Sequence, residues 1–167
     1  MVSVGYFLRE LRAKYSDEPT GFLWVEREKV AASGYPASRG QLEWLAKQGI
    51  EVVLTLTEQP LPPEWTEGLP IAFRHTPMKD HMPPEQEDLG IAAAFVRDSV
   101  NSGKKVLVHC LAGKGRTMTV LAAYLMMERK MGPEEAIRSL REMRPGAVEK
   151  GQEQAVFEFV GTVQGSP

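Results

Sequence analysis

The stretch KVLVHCLAGKGRTMT at positions 105–119 passes from an apolar run, through a loop bearing two glycines, into a helix-forming segment. Residues 105–109 (KVLVH) place apolar side chains on consecutive positions. That is the composition of a strand buried on both faces of a parallel sheet, since a half-exposed strand would alternate. From position 116 to 130 nothing breaks a helix, and leucine, alanine and methionine dominate. Strand, short loop and helix in this order are the beginning of a βαβ unit, so the segment predicts an α/β fold with 105–109 as its central strand.

Residues 51–56 (EVVLTL) repeat the buried-strand pattern, and 22–25, 29–32 and 71–75 read as further short strands. Ser38 is placed to cap a helix through Lys47 that carries Leu42, Leu45 and Ala46 inward, with Gly49 ending it. Pro60, Pro62, Pro63, Gly68 and Pro70 mark an irregular excursion, and MKDHMPP at 78–84 reads as a loop. A helix over 85–102 puts Leu89, Ala92, Ala93, Val96 and Val100 on one side before Gly103. Pro133 opens another helix, closed by Pro145 and Gly146, and a last one is expected over 152–163. Met126, Met127 and Met131 belong to the expected core. Near the start, Tyr6, Phe7, Leu8, Leu11 and Tyr15 recur at helical spacing and predict a helical extension over 1–20 packed on the rest. The whole pattern predicts a single α/β domain over 1–167, a central, mostly parallel sheet flanked by helices on both faces.

A chain of 167 residues is long enough for one substantial core, and 43% apolar with 25% charged residues excludes a disordered chain. The net charge of -2 excludes a broad basic surface for nucleic acid or an anionic membrane, so any anion must be recognised locally. No apolar run reaches membrane-spanning length, and Arg9, Glu10, Arg12 and Lys14 interrupt any signal-peptide core. A monomer in the cytoplasm is the expectation. The single cysteine, Cys110, excludes an internal disulfide, which leaves its thiol as either a small core residue or a reactive group.

The loop that follows the central strand decides between these. Small residues feeding a helix N-terminus turn several backbone N–H groups toward one point, where an oxyanion binds. Arg116, six positions after Cys110, adds a planar two-pronged donor suited to two phosphate oxygens. A thiol with an ordinary pKa of about 8.5 needs a depression of roughly one to five units to serve as a nucleophile. Each unit is about 1.4 kcal/mol, and a helix terminus gives only ~0.3–1 kcal/mol, up to ~2. The loop N–H groups, Arg116 and the Thr117 hydroxyl must supply the remainder, with His109 holding the loop in place rather than moving a proton.

On these residues the segment HCLAGKGRT resembles the cysteine-arginine signature loop of the protein tyrosine phosphatase superfamily. The chain is similar over nearly its whole extent to the small atypical dual-specificity phosphatases. A second region, RPGAVEKGQEQAVFEF at 144–159, resembles the segment after the signature helix in their minimal single-domain members. The resemblance implies that Cys110 attacks phosphorus and that the amides of Leu111, Ala112, Gly113, Lys114, Gly115 and Arg116, with the Arg116 side chain, hold the phosphate oxygens. It further implies that Thr117 assists departure of the thiolate, that Asp80 in the 78–84 loop is the general acid, and that Gln152 lies over the pocket. It implies no metal or other cofactor, and phosphorylated proteins as substrates.

Glu85 and Asp88 compete with Asp80 as acids, His75 and His81 are expected to be satisfied strand and loop residues, and the roles of Thr55, Thr57 and Glu58 are not legible. Met118 stands where the family usually has glycine, which leaves open whether it crowds the pocket or packs under it. Lys114 makes the loop similar to those of relatives acting on inositol phospholipids. Three functions follow: a phosphatase for phosphotyrosine and also phosphoserine and phosphothreonine in proteins; a phosphatase for an inositol lipid or RNA 5′ end; or a catalytically weak phosphate-binding module.

Overall fold

The computed structural model describes Leu11 and residues 15–161, so the N-terminal helix expected over 1–20 falls mainly outside the described residues. Five strands form one sheet: β1 (Leu23–Glu26), β2 (Val30–Ser33), β3 (Val52–Thr55), β4 (Ala72–His75) and β5 (Val106–His109). Their order is β1-β2-β5-β3-β4, with β1 antiparallel to β2 and every other pair parallel. The strand read as central is central. His109 at its end is level with Ser33 on one side and Thr55 on the other.

The helices are α1 (Arg39–Lys47), α2 (Pro63–Thr66), α3 (Gln86–Asn101), α4 (Arg116–Arg129), α5 (Pro133–Met143) and α6 (Glu153–Phe157). Because side chains alternate along a strand, the sheet builds two cores. Val106, Val108, Val52, Leu54 and Ala32 pack with α3, α4, α5 and α6, whereas Leu107, Val53 and Ala31 pack with Leu42 and Leu45 of α1 and with Leu61 and Ile71. Helix α4 is buried almost all round, as a helix must be when it lies between a sheet and other helices. Met127 is buried in this larger core, and Met126 and Met131 pack against it.

Helix α1 starts as expected: Ser38 is extended at φ -161° and its hydroxyl accepts the Gln41 N–H at 3.3 Å, while Gln41 Oε1 reaches back to the Ala37 N–H at 2.8 Å. Gly49 leaves the helix at φ +83°. Two elements differ from expectation. The proline-rich excursion contains the one-turn helix α2, with Pro63 in its first turn and the Thr66 hydroxyl donating to the Pro63 carbonyl at 3.1 Å. The last helix stops at Phe157 rather than running on to 163. There the chain tightens into a Phe159 N–H to Val156 carbonyl bond, and Gly161 takes φ +68°. Among the described residues no helix is long and apolar enough to cross a membrane.

Candidate active site

Residues 110–115 leave the C-terminal end of β5 and enter α4, and the carbonyls of Cys110, Leu111, Gly113, Lys114 and Gly115 are tied to surrounding structure. The Cys110 carbonyl accepts from His109 Nδ1 at 3.3 Å, Leu111 from the Tyr35 N–H at 3.1 Å, Gly113 from the Arg144 guanidinium, and Lys114 from the Val148 N–H at 3.0 Å. The Gly115 carbonyl takes both the N–H and the hydroxyl of Thr119, each at 2.9 Å. In a trans peptide the N–H points opposite to its carbonyl. Fixing these five carbonyls therefore turns the N–H groups of Leu111, Ala112, Lys114, Gly115 and Arg116 away from the anchors and toward the inside of the loop. The Gly113 N–H points at Cys110 Sγ at 3.2 Å, which places the sulfur on that inner side.

Two glycines make this curvature possible. Gly113 sits at φ +70°, and a Cβ there would lie 2.4 Å from the Ser33 carbonyl oxygen and 2.8 Å from Arg144 Nη1. At Gly115 a Cβ would meet Gln152 Oε1 at 2.7 Å and Glu149 Oε1 at 2.9 Å. Gly113 excludes a side chain both sterically, against backbone, and conformationally, whereas a side chain at Gly115 would displace the ends of Gln152 and Glu149.

The Arg116 side chain is 2% exposed. Its Nη1 donates to the Met78 carbonyl at 3.0 Å, its Nη2 pairs with Asp80 Oδ1 at 2.9 Å, and its Nε is buried without a partner among the described residues. The Thr117 hydroxyl is likewise buried and unpartnered. Asp80 is thus brought to the loop by β4 and the segment after it. Glu85 is the residue before α3 and Asp88 lies in its first turn, so of the three carboxylates considered it is Asp80 that reaches Arg116.

The Asp80 loop has its own supports. Glu58 Oε1 accepts the Asp80 N–H at 3.4 Å, and His81 stands between two carboxylates, with Nδ1 2.9 Å from Glu149 Oε2 and Nε2 3.6 Å from Asp80 Oδ2. The Glu149 hydrogen bond first, and the Asp80 charge second, raise the His81 pKa above its ordinary value. His81 holds φ +56°, an uncommon conformation outside glycine. Gln152 is buried: its amide donates to the Met82 carbonyl at 3.2 Å, and its oxygen lies 3.3 Å from the Thr119 hydroxyl, whose proton makes the shorter bond to Gly115, so Gln152 joins the Asp80 loop to α4. His75 Nε2 donates to the Thr57 carbonyl at 2.8 Å.

His109 is fully buried between Thr55 and the loop, and desolvation pushes its pKa down to about 4. Met118 is fully buried in the larger core, so the residue that replaces the family's glycine packs under the loop and does not line the groove. That groove, of about 530 Å³, runs from Arg116 and Asp80 to Tyr35, Thr57, Glu58, Gln59 and Leu111. The Lys114 side chain is exposed on the loop beside it. Among the described residues no group of three or more His, Cys, Asp or Glu side chains is placed to hold a metal ion.

Sequence reasoning singled out neither Glu149 nor Thr119, gave the Arg144 side chain no role and left that of Glu58 unread, while His81, expected to be a satisfied loop residue, is satisfied by Glu149 and Asp80. The segment 144–159 signalled that something downstream belongs to the site, but nothing in its composition says that Arg144 and Val148 anchor the loop from behind.

Residues 19–157 match the family model described as PTP-SAK, Swiss Army Knife protein, DSP-PTPase phosphatase domain. The dual specificity protein phosphatase Mpk3 of Drosophila melanogaster is 36% identical over 107 residues, 62% of this chain and 25% of that protein. The phosphatidylglycerophosphate phosphatase PTPMT2 of Arabidopsis thaliana is 28% identical over 141 residues, 81% of this chain and 62% of its own. The chain therefore spans less than two thirds of either relative's length. Among solved structures, Tk-PTP in the active form superposes with a TM-score of 0.73 at 33% identity, covering 81% of this chain and 92% of that one. PTPMT1 in complex with PI(5)P, at TM-score 0.72 and 22% identity over 83% of this chain and 93% of that one, shares the fold.

Proposed function

The chain belongs to the DSP-PTPase family of cysteine-based phosphatases, and from that membership we propose that it hydrolyses phosphotyrosine, and also phosphoserine and phosphothreonine, in proteins through a phosphocysteine intermediate on Cys110. The observation that carries the reading is the Gly113 N–H pointing at Cys110 Sγ in a loop whose anchored carbonyls turn its other N–H groups inward, with the buried Arg116 of the same loop joined to Asp80. The Cys110 thiolate attacks phosphorus; the S–P bond forms as the P–O bond to the leaving group breaks, and the Asp80 carboxyl passes its proton to the departing oxygen. Two phosphate oxygens take the edge of Arg116 that bears the unpartnered Nε and the Nη2 now held by Asp80, which frees Asp80 for the leaving group. Water then attacks the phosphocysteine and gives a proton to the Asp80 carboxylate. The S–P bond breaks, orthophosphate leaves, and the Thr117 hydroxyl stabilises the returning thiolate. His109, neutral and buried, orients the loop and moves no proton.

The groove supports a protein substrate. Its lining carries Glu58 and Asp80 and no lysine, which disfavours a headgroup with further phosphates. A lipid ester is a second reading, favoured by the similarity to PTPMT2 and by the exposed Lys114. Rates on phosphotyrosine and phosphothreonine peptides and on phosphatidylglycerophosphate vesicles separate the two. A kcat/KM on peptides greater by about tenfold or more fits the first reading, and the reverse order assigns the lipid. The weak binding module loses its main support because Met118 packs into the core. A cytoplasmic, monomeric state belongs to the same proposal and rests on composition and the single cysteine.

A further inference from the structure

Arg144 is a buried guanidinium, 8% exposed, that forms no ion pair with a carboxylate among the described residues. A buried cation without an anionic partner is costly, so its surroundings must offset the loss of water. Two carbonyls do part of this: Nη1 donates to Gly113 in the signature loop and Nη2 to Gly21 in the turn before β1. Both glycines have left-handed backbones, and a Cβ on either would lie against the guanidinium, 2.8 Å from Nη1 at Gly113 and 3.2 Å from Nη2 at Gly21. The Cβ at Gly113 would also lie 2.4 Å from the Ser33 carbonyl oxygen at the end of β2, so backbone and guanidinium both close on this residue. Gly113 links the two groups: its carbonyl takes Arg144 Nη1 and its N–H points at Cys110 Sγ at 3.2 Å, so the guanidinium stands one residue away from the sulfur, while burial pulls Arg144 below the usual guanidinium value and the Cys110 sulfur opposes that pull.

We propose that Arg144 is a positioning residue for Cys110: a second buried cation, behind the loop, that fixes the Gly113–Lys114 peptide so that the Lys114 N–H faces the oxyanion and that serves as the fixed counter-charge of the thiolate. The proposal deepens the phosphatase reading and rests on it in taking the thiolate as the working state of Cys110. It also gives the turn before β1 a role, since Gly21 holds the other prong of the fork. Lysine supplies the charge but not the fork, which separates the two contributions.

The test needs no turnover. Cys110 is the only cysteine, so the ultraviolet absorbance of thiolate, with Cys110→Ser as baseline, reports its ionisation alone. Binding of inorganic phosphate by calorimetry reports the cradle. In Arg144→Gln the ionisation midpoint is expected to move to higher pH by about one unit and phosphate affinity to fall about tenfold. In Arg144→Lys the midpoint returns most of the way while phosphate affinity stays low. A folded Arg144→Gln with both readouts as in the wild type overturns the proposal. Should that variant fail to fold, Arg144→Lys decides: weakened phosphate binding supports it, and unchanged binding overturns it. A wild-type protein that hydrolyses no phosphomonoester would overturn the phosphatase reading instead, leaving both readouts interpretable.

Discussion

At the scale of the residue, His109 shows how burial selects one state of a side chain. Desolvation pushes its pKa to about 4, the hydrogen bond to the Cys110 carbonyl opposing and the Arg116 charge assisting, so the ring is neutral in the working range. The Cys110 carbonyl can only accept, so Nδ1 carries the proton, and Nε2 accepts from the Thr55 hydroxyl at 2.8 Å. Lowering a histidine pKa on folding means that the unfolded chain binds the extra proton between about pH 6.5 and 4, so stability is full above that window and falls as pH drops through it. Across the window this one ring accounts for roughly 3 kcal/mol at most. Urea unfolding at pH 7.5 and pH 5 is expected to show the loss in the wild type and a flatter profile in His109→Asn; equal slopes would contradict it. Cys110 and Arg116 were legible because each has one spacing and one chemistry, and His109 because it ends a buried strand. Thr55, Glu58 and Glu149 were not, because polar residues at a strand end or on loops acquire roles only from partners 22 to 68 positions away.

At the scale of the element, the signature loop is held by its carbonyls, and Gly113 is where that arrangement tolerates least. Gly113→Ala meets both a left-handed backbone and the Ser33 carbonyl at 2.4 Å. A loss of about 1–3 kcal/mol in unfolding free energy is expected, with a larger relative loss in phosphate binding because the peptide must rotate to relieve the contact. Wild-type phosphate affinity in a stable Gly113→Ala would show that the loop is not held as described. Helices α1, α3, α4 and α5 were legible within one or two residues, since several turns of apolar spacing mark them all, and a capping serine marks α1 and a first-turn proline α5. Helices α2 and α6 were not, one hidden in a proline-rich excursion and the other overextended, because helices of 4 and 5 residues carry too little periodicity and take their limits from tertiary contacts.

At the scale of the whole molecule, the sheet is a partition: consecutive residues of β5 face opposite cores, and the loop emerges where the strand ends between them. The parallel sheet and helices on both faces followed from consecutive apolar strands. The order β1-β2-β5-β3-β4 did not, because strand neighbours are chosen by packing across crossovers that leave no local mark. The single thiol bears on the chain as a whole. With no second cysteine to trap a sulfenic acid as a disulfide, peroxide carries Cys110 on to irreversible acids. Activity after prolonged peroxide is expected to return only in part with dithiothreitol, and full recovery would contradict this. The most direct test of covalent catalysis is mass spectrometry of the acid-quenched protein mixed with p-nitrophenyl phosphate in the presence of a chelator. One phosphoryl group is expected on the peptide containing Cys110, with both adduct and turnover absent in Cys110→Ser; turnover that persists in Cys110→Ser, or that requires the chelated metal, would contradict it.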